Sequence, residues 1–188
     1  MRLITLVLLG LAITGPALAD PFEDAKAAYT KGDYAAALRL WRPLAEDGNA
    51  NAQFWMGASY DLGRGVAIDY ATAAVWYRKA ADQGQVNAQY NLAHMYEQSH
   101  GVPPDYAMSA AASWYRRAAD QGFAAAQGNL GILFATGRGV RRDDVLAYKW
   151  FSLAGAAANR DFVAARMTRP QIDEAEELVR SWQVRPER

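Results

Sequence analysis

Two histidines, a cluster of glutamates and two Gly-Arg-Gly-Val segments are the residues from which this chain could build chemistry. His94 and His100 stand six residues apart. A helix presents two imidazoles to one metal ion at i, i+4 spacing, and with no cysteine and no third histidine to complete a ligand set, no metal site is expected. Glu174, Glu176 and Glu177 could supply a carboxylate pair for acid–base work, but beside Asp173 and Arg180 they read as the wet face of a helix. The segments 63–66 and 137–140 are glycine-rich, yet neither a Walker nor a dinucleotide pattern surrounds them, so they read as helix caps and not phosphate cradles. No Cys nucleophile, no Gly-x-Ser-x-Gly and no Ser-x-x-Lys occurs. Trp76, Tyr77, Trp114 and Tyr115 could stack on sugars, but at helical spacing with Ala73, Ala80, Ala111 and Ala118 they read as core rings. The expectation is therefore no catalytic residue, no cofactor, no metal and no enzyme.

The elements that carry these residues repeat. Ala52-Gln53 recurs as Ala88-Gln89 and Ala126-Gln127, in steps of 36 and 38 residues. Gly57, Ala93 and Gly131 follow, then the rings Tyr60, Tyr96 and Phe134, then Gly65-Val66, Gly101-Val102 and Gly139-Val140, then Asp69, Asp105 and Asp143. Each unit closes on Trp76-Tyr77, Trp114-Tyr115 or Trp150-Phe151. So many matched slots mark an internal repeat. Within one unit, Met56, Gly57 and Tyr60 share a helical face, and Gly63 and Gly65 end that helix in left-handed conformations. Asp69 then caps a second helix with an apolar stripe at Ala73, Trp76/Tyr77 and Ala80. A lone helix pair cannot cover these rings, so the units must stack into an α-solenoid with one shared core.

Both ends read as caps. Residues 22–31 and 33–46 form two helices, the second tightened or kinked at Pro43, so that 20–48 is an N-terminal capping unit before three units over 49–159. Residues 159–167 form a further first-type helix. Thr168-x-x-Gln171 is a capping box for a last helix with Ile172, Ala175, Val179 and Trp182 on one face. Residues 160–183 thus close the stack, and 184–188 should fray. At the start, Arg2, an apolar run over 3–13 and the small-residue end Ala17-Leu18-Ala19 have the layout of a cleavable secretory leader over 1–19. The run is 11 residues, short of the roughly 20 that a membrane-spanning helix needs. The mature chain would then be exported, with the periplasm as its expected compartment and no membrane insertion after cleavage. Twenty basic and twenty acidic residues balance, so there is no electrostatic footprint for nucleic acid. The absence of cysteine leaves stability to stacking alone, even in an oxidising compartment.

The order A-x-x-x-L-G-x-x-Y-x-x-G-x-G-V-x-x-D followed by A-x-x-W-Y-x-x-A-A-x-Q-G resembles the Sel-one-like repeat, a relative of the tetratricopeptide repeat, in three copies over 51–159. Met56 stands for the usual Leu, Ser99 for the loop Gly, Pro103-Pro104 stiffens the second connection, and Ala157-Ala158 occupies the third Gln-Gly position. The resemblance implies an all-α, right-handed α/α solenoid of antiparallel helix pairs that binds a partner protein or peptide, as an adaptor or a regulator of envelope signalling. Its register implies a concave strip of Asn51, Phe54, Ala58, Asp61 and Leu62, then Asn87, Tyr90, His94, Glu97 and Gln98, then Ala125, Gly128, Ile132 and Thr136. Two other readings stay open: a hydrolase of the β-lactamase-like type linked to Cys-rich relatives, whose Cys framework is missing here, and a self-associating structural protein. Oligomeric state is open as well.

Overall fold

The computed structural model describes residues 20–102 and 107–185. The expected leader, the Pro103-Pro104 pair, Asp105 and the last three residues lie outside them. Among the described residues all regular structure is helical, and capping chemistry explains most of the boundaries. Asp20 Oδ1 accepts from Phe22 N (2.9 Å) to open α1 (Pro21–Thr30), and Asp33 accepts from Ala36 N (3.0 Å) to open α2 (Tyr34–Glu46). Asn49 caps α3 (Ala50–Leu62), Asp69 caps α4 (Tyr70–Asp82) and Gln85 caps α5 (Val86–Gln98). After α6 (Ala107–Asp120) and α7 (Ala124–Thr136), Asp143 caps α8 (Asp144–Leu153). Each such cap satisfies an orphan N–H and contributes about 1 kcal/mol. Then come α9 (Ala157–Ala164) and α10 (Arg169–Arg180), the latter opened by the Thr168/Gln171 capping box. Pro43 lies inside α2 without ending it, and its carbonyl accepts from Asp47 N at 2.9 Å.

Each helix from α1 to α9 packs on its chain neighbours, so the molecule is an α/α solenoid of stacked hairpins. Small residues let the paired helices close: a Cβ on Gly57 would lie 2.7 Å from the Tyr77 ring, and one on Gly131 2.7 Å from Phe151. The connections lock one unit onto the previous one. Gly101, at φ 66°, lies so close to the start of α4 that a Cβ would fall 2.3 Å from the Tyr70 backbone, and Gly139, at φ 69°, repeats this on Met108 of α6. Gly65, at φ 76°, sits likewise on Tyr34 of α2, and the residue before each of the three glycines grips the same place. Arg64 hydrogen-bonds Tyr29 Oη and lies over the Tyr34 ring, His100 stacks on Tyr70 (4.6 Å, 19°), and Arg138 reaches Met108 Sδ.

A second interlock uses the repeated Gln. Gln53, Gln89 and Gln127 are buried and donate to the carbonyls of Ala45, Ala81 and Ala119 at 3.0, 3.2 and 3.1 Å, near the ends of the preceding second helices. Gln53 Oε1 in turn accepts from Gln83 (2.8 Å) and Gln89 Oε1 from Gln121 (2.9 Å). A buried amide is tolerated only when paired in this way, so the ladder ties three consecutive helices at the first two levels. The third level lacks the matching donor. There α8 stops after ten residues, and the left-handed glycine that ends it is Gly155 (φ 70°). Ala154, not Ala157, therefore holds the Gln position. The expected Gln-Gly register at Ala157-Ala158 was three residues late, and α9 begins at Ala157 and not at 159.

Two apolar clusters form the interior. One runs from Ala58 to Val163 around Tyr77, Tyr115, Trp150 and Phe151; the other joins Ala25, Trp41 and Met56 at the N-terminal end. Trp114 and Trp150 are buried as expected. Trp76 is only half-buried, because it packs against the N-terminal cluster with Lys79 lying 4.3 Å from its ring centroid. At the other end α10 turns back onto α8 and does not pair with α9. The tail follows it: Arg185 N donates to Asp120 O at 2.8 Å, and Val184 contacts the backbone at Gly122 closely enough to leave a Cβ there 3.4 Å away. Residues 184 and 185 are thus held against α6, contrary to the expected fraying.

Candidate partner-binding face

The first helices α3, α5, α7 and α9 share one face, and what lies beneath it is a set of rungs linking one unit to the next. In the first rung, Tyr77 of α4 donates its hydroxyl to Asp61 Oδ2 of α3 (3.2 Å) and accepts from Asn91 Nδ2 of α5 (3.0 Å). In the second, Tyr115 of α6 donates to Glu97 Oε2 of α5 (2.9 Å) and hydrogen-bonds Asn129 of α7. Burial first, and then the neighbouring carboxylate, hold both phenols protonated far above the usual tyrosine range. Their hydroxyls serve as crosspieces between the helices. The helix register puts Ala135, Phe151 and Phe162 in the same three slots of the third rung, and none of these side chains can make the hydrogen bonds. In their place lies an apolar hollow of about 240 Å³, bounded by α7, α8 and α9.

Against this frame the expected strip separates into two groups. Asp61 and Glu97 are half-buried and committed to the tyrosines, and Glu97 also pairs with Arg138 at 3.4 Å. Phe54 is half-buried against Trp55 and Tyr77, and Tyr90 against Tyr115 and Phe123, with centroid distances of 5.2 to 5.9 Å. Ala58 is buried, and Asn87 and Gly128 are half-buried. Asn51, Leu62, His94, Gln98, Ala125, Ile132 and Thr136 stand exposed. Thr136 Oγ1 donates back to Ile132 O (2.8 Å), and Gln98 lies 3.4 Å from His94 Nε2. The sequence reading missed Ala135, Phe151 and Phe162, although the change from Asp/Glu to Ala and from Tyr to Phe at matched repeat positions was there to be seen.

The far wall of the hollow is tied down by ions. Arg166, just after α9, donates to both oxygens of Asp144 (2.6 and 3.0 Å) and to Ala135 O (3.1 Å), and its guanidinium covers the Phe162 ring at 5.5 Å. Burial alone would raise the Asp144 carboxyl, but Arg166 and Arg142 outweigh it and hold it below the ordinary value. A larger concavity lies elsewhere, between the start of α8 and α10. It has mixed charge, with Arg141, Arg142, Asp143, Asp144 and Glu174 among its lining residues. Among the described residues no group of three or more His, Cys, Asp or Glu could hold a metal ion, and no helix is long and apolar enough to cross a membrane.

Comparison with known proteins agrees with this architecture. The Sel1 repeat family model matches three times, at residues 50–85, 86–123 and 124–159, together well over half of the chain. A Sel1 repeat protein from Oxalobacter formigenes is similar at 32% identity and a TM-score of 0.68, over 72% of this chain and 55% of that one. The protective antigen c5321, present in uropathogenic Escherichia coli strains and displaying an SLR fold, is similar at 29% identity and a TM-score of 0.59, over 86% of this chain and 44% of that one. The chain thus spans about half the length of these solved relatives. No curated protein matches it significantly. Stacked repeats of this type form protein–protein interaction modules. By its three repeats and its helical stack, the chain belongs to the Sel1 repeat family.

Proposed function

We propose that this chain is exported, loses residues 1–19 and serves in the periplasm as an adaptor or regulator that holds a partner protein or peptide on the concave face of its first helices. It acts by binding and does no chemistry of its own. One observation carries the reading. The side chains of that face stand on crosspieces already fixed by hydrogen bonds in the first two units, so Asn51, Leu62, His94, Gln98 and Ile132 are presented on a surface that needs little ordering when a partner arrives. The mixture of amides, a histidine and aliphatic groups suits an extended or helical peptide.

A photo-crosslinking residue placed at His94 or Ile132, and separately at Val75 on the second helices, tests this in the native envelope. Discrete adducts from the first two positions and none from Val75 are the expected result; adducts from Val75 alone would move the partner to the opposite side. In the same preparation the N-terminal residue should be Asp20, and the purified protein should leave nitrocefin intact.

A further inference from the structure

The three rungs occupy matched positions but differ in chemistry, and the third is open. Asp61–Tyr77–Asn91 and Glu97–Tyr115–Asn129 fill their levels with hydrogen-bonded side chains. At the third level all three slots have become apolar together, as Ala135, Phe151 and Phe162, and the space stays empty. Phe162 is 71% exposed, the most exposed large apolar side chain among the described residues, and Ile132 above it is 39% exposed. A lone surface phenylalanine is unremarkable, but one that lines a hollow with a second ring as its floor leaves apolar surface that the chain itself does not cover.

Gly128 gives a second, independent observation. Its matched positions hold the rings of Phe54 and Tyr90, which pack down over Tyr77 and Tyr115. A Cβ at Gly128 would meet nothing nearer than the Ala154 methyl at 3.9 Å. Glycine in a helix interior costs roughly 1 kcal/mol relative to alanine, and no contact among the described residues demands it here. Bare backbone at this point admits another backbone closely. Charge identifies what fits. The segment AAAQGNLGILFAT that forms α7 carries no ionised group. The hollow has no charged lining residue, and the ions on the segments that frame it are paired, Arg166 and Arg142 with Asp144 and Arg160 with Asp161. A charged group entering it would lose its water and find no counter-ion, whereas an apolar one loses nothing. Asn159, whose side chain makes no hydrogen bond among the described residues, offers a donor and an acceptor at the rim for a peptide backbone.

We propose that the third rung is a specificity pocket that receives one bulky, uncharged aliphatic or aromatic side chain of a peptide partner, whose backbone crosses α7 at Gly128. This rests on the reading of the first-helix face as the partner surface and names the chemistry of that partner at one point.

The test is panning of phage-displayed random dodecapeptides against the immobilised full chain. Selected peptides should share one large apolar residue at a fixed place. Their affinity should fall at least tenfold in the double variant Ala135→Glu/Phe151→Tyr, which rebuilds the rung as Glu97 and Tyr115 do, and comparably in Gly128→Tyr, which restores the ring of the other two units on an open surface. Val75→Ser should leave it within twofold, and circular dichroism should show all variants equally helical. Peptides indifferent to both pocket variants but weakened by Asn87→Ala and His94→Ala would overturn the pocket and leave the binding face standing. A shared charged residue at the fixed place would overturn it too. Selection of no peptide at all would overturn both readings. Self-association of the chain that the double variant abolishes would make a second copy the occupant and overturn the peptide partner.

Discussion

Units one and two join the same three helices with a phenol, a carboxylate and an amide; the junction of unit three with α9 joins them with a methyl group and two phenyl rings. The backbones follow one plan, and the difference lies in what each junction can do. A hydrogen-bonded crosspiece contributes only about 1 kcal/mol per bond, but it accepts one geometry and leaves no room. The apolar junction has no directional tie between its rings, and α9 is held instead from outside by Arg166 on Asp144. Alongside this, the glutamine ladder loses its donor and α8 loses a turn. The lesson is that a solenoid can be hydrogen-bonded through its body and left with an apolar hollow at one end by changing a few side chains per level, without altering the fold.

The largest test of that contrast uses the ladder. Gln89→Leu strips a partner from both the Ala81 carbonyl and Gln121, and should destabilise the chain by about 3 kcal/mol; Gln127→Leu, with no Gln above it, should cost about 1–2 kcal/mol. Urea denaturation of the two variants reads the difference, and equal losses would mean that the levels do not differ in this way. A smaller effect separates the rungs themselves. Tyr115→Phe should cost about 1–2 kcal/mol through Glu97 and Asn129. Phe151→Tyr should cost a similar amount alone and less when combined with Ala135→Glu, a coupling that a double-mutant cycle measures.

Smallest is the acid response. Asp144 has a depressed folded value, so its contribution is fully present above the unfolded value near about 4 and is lost as pH falls through the folded one. Below about pH 4 the melting temperature should therefore drop, and Asp144→Asn should remove on the order of 1 kcal/mol of that dependence. Between pH 5 and 7 the contribution of this pair should not vary with pH.

The helices were legible because their signals are local. Asp33, Asp69 and Asp143 cap the helices that their neighbours begin, and the Gly-x-Gly-Val connections stop the first helices as their left-handed glycines require. The end of α8 was not legible from the period. Strict repetition placed its stop at Ala157-Ala158, while a deletion of one turn moved it to Gly155. The function of Ala-Gln was equally hidden. As a pattern it marks a repeat, but Gln53 works through Ala45, eight residues back, and Gln83, thirty ahead, which only the stacking brings together. For the first-helix face, the register of exposed positions such as Asn51, His94 and Ile132 could be read along one helix. Asp61 and Glu97 read as free acids because their tyrosine partners lie on the next helix, and the hollow could not be read because it is defined by side chains that fail to meet.

The division of the interior into two clusters carries a practical consequence. Trp41 and Trp55 lie face to face at 5.1 Å and 9° in the N-terminal cluster, whereas Trp114 and Trp150 belong to the long one. Stacked indoles at that range couple their electronic transitions, so their near-ultraviolet dichroism depends on the pair staying together, while Trp114 and Trp150 report on the long cluster. Dichroism of the Trp41/Trp55 stack, followed in a Trp76→Phe/Trp182→Phe background beside emission from Trp114 and Trp150, would show without a dye whether the N-terminal end and the long cluster come apart together or in sequence.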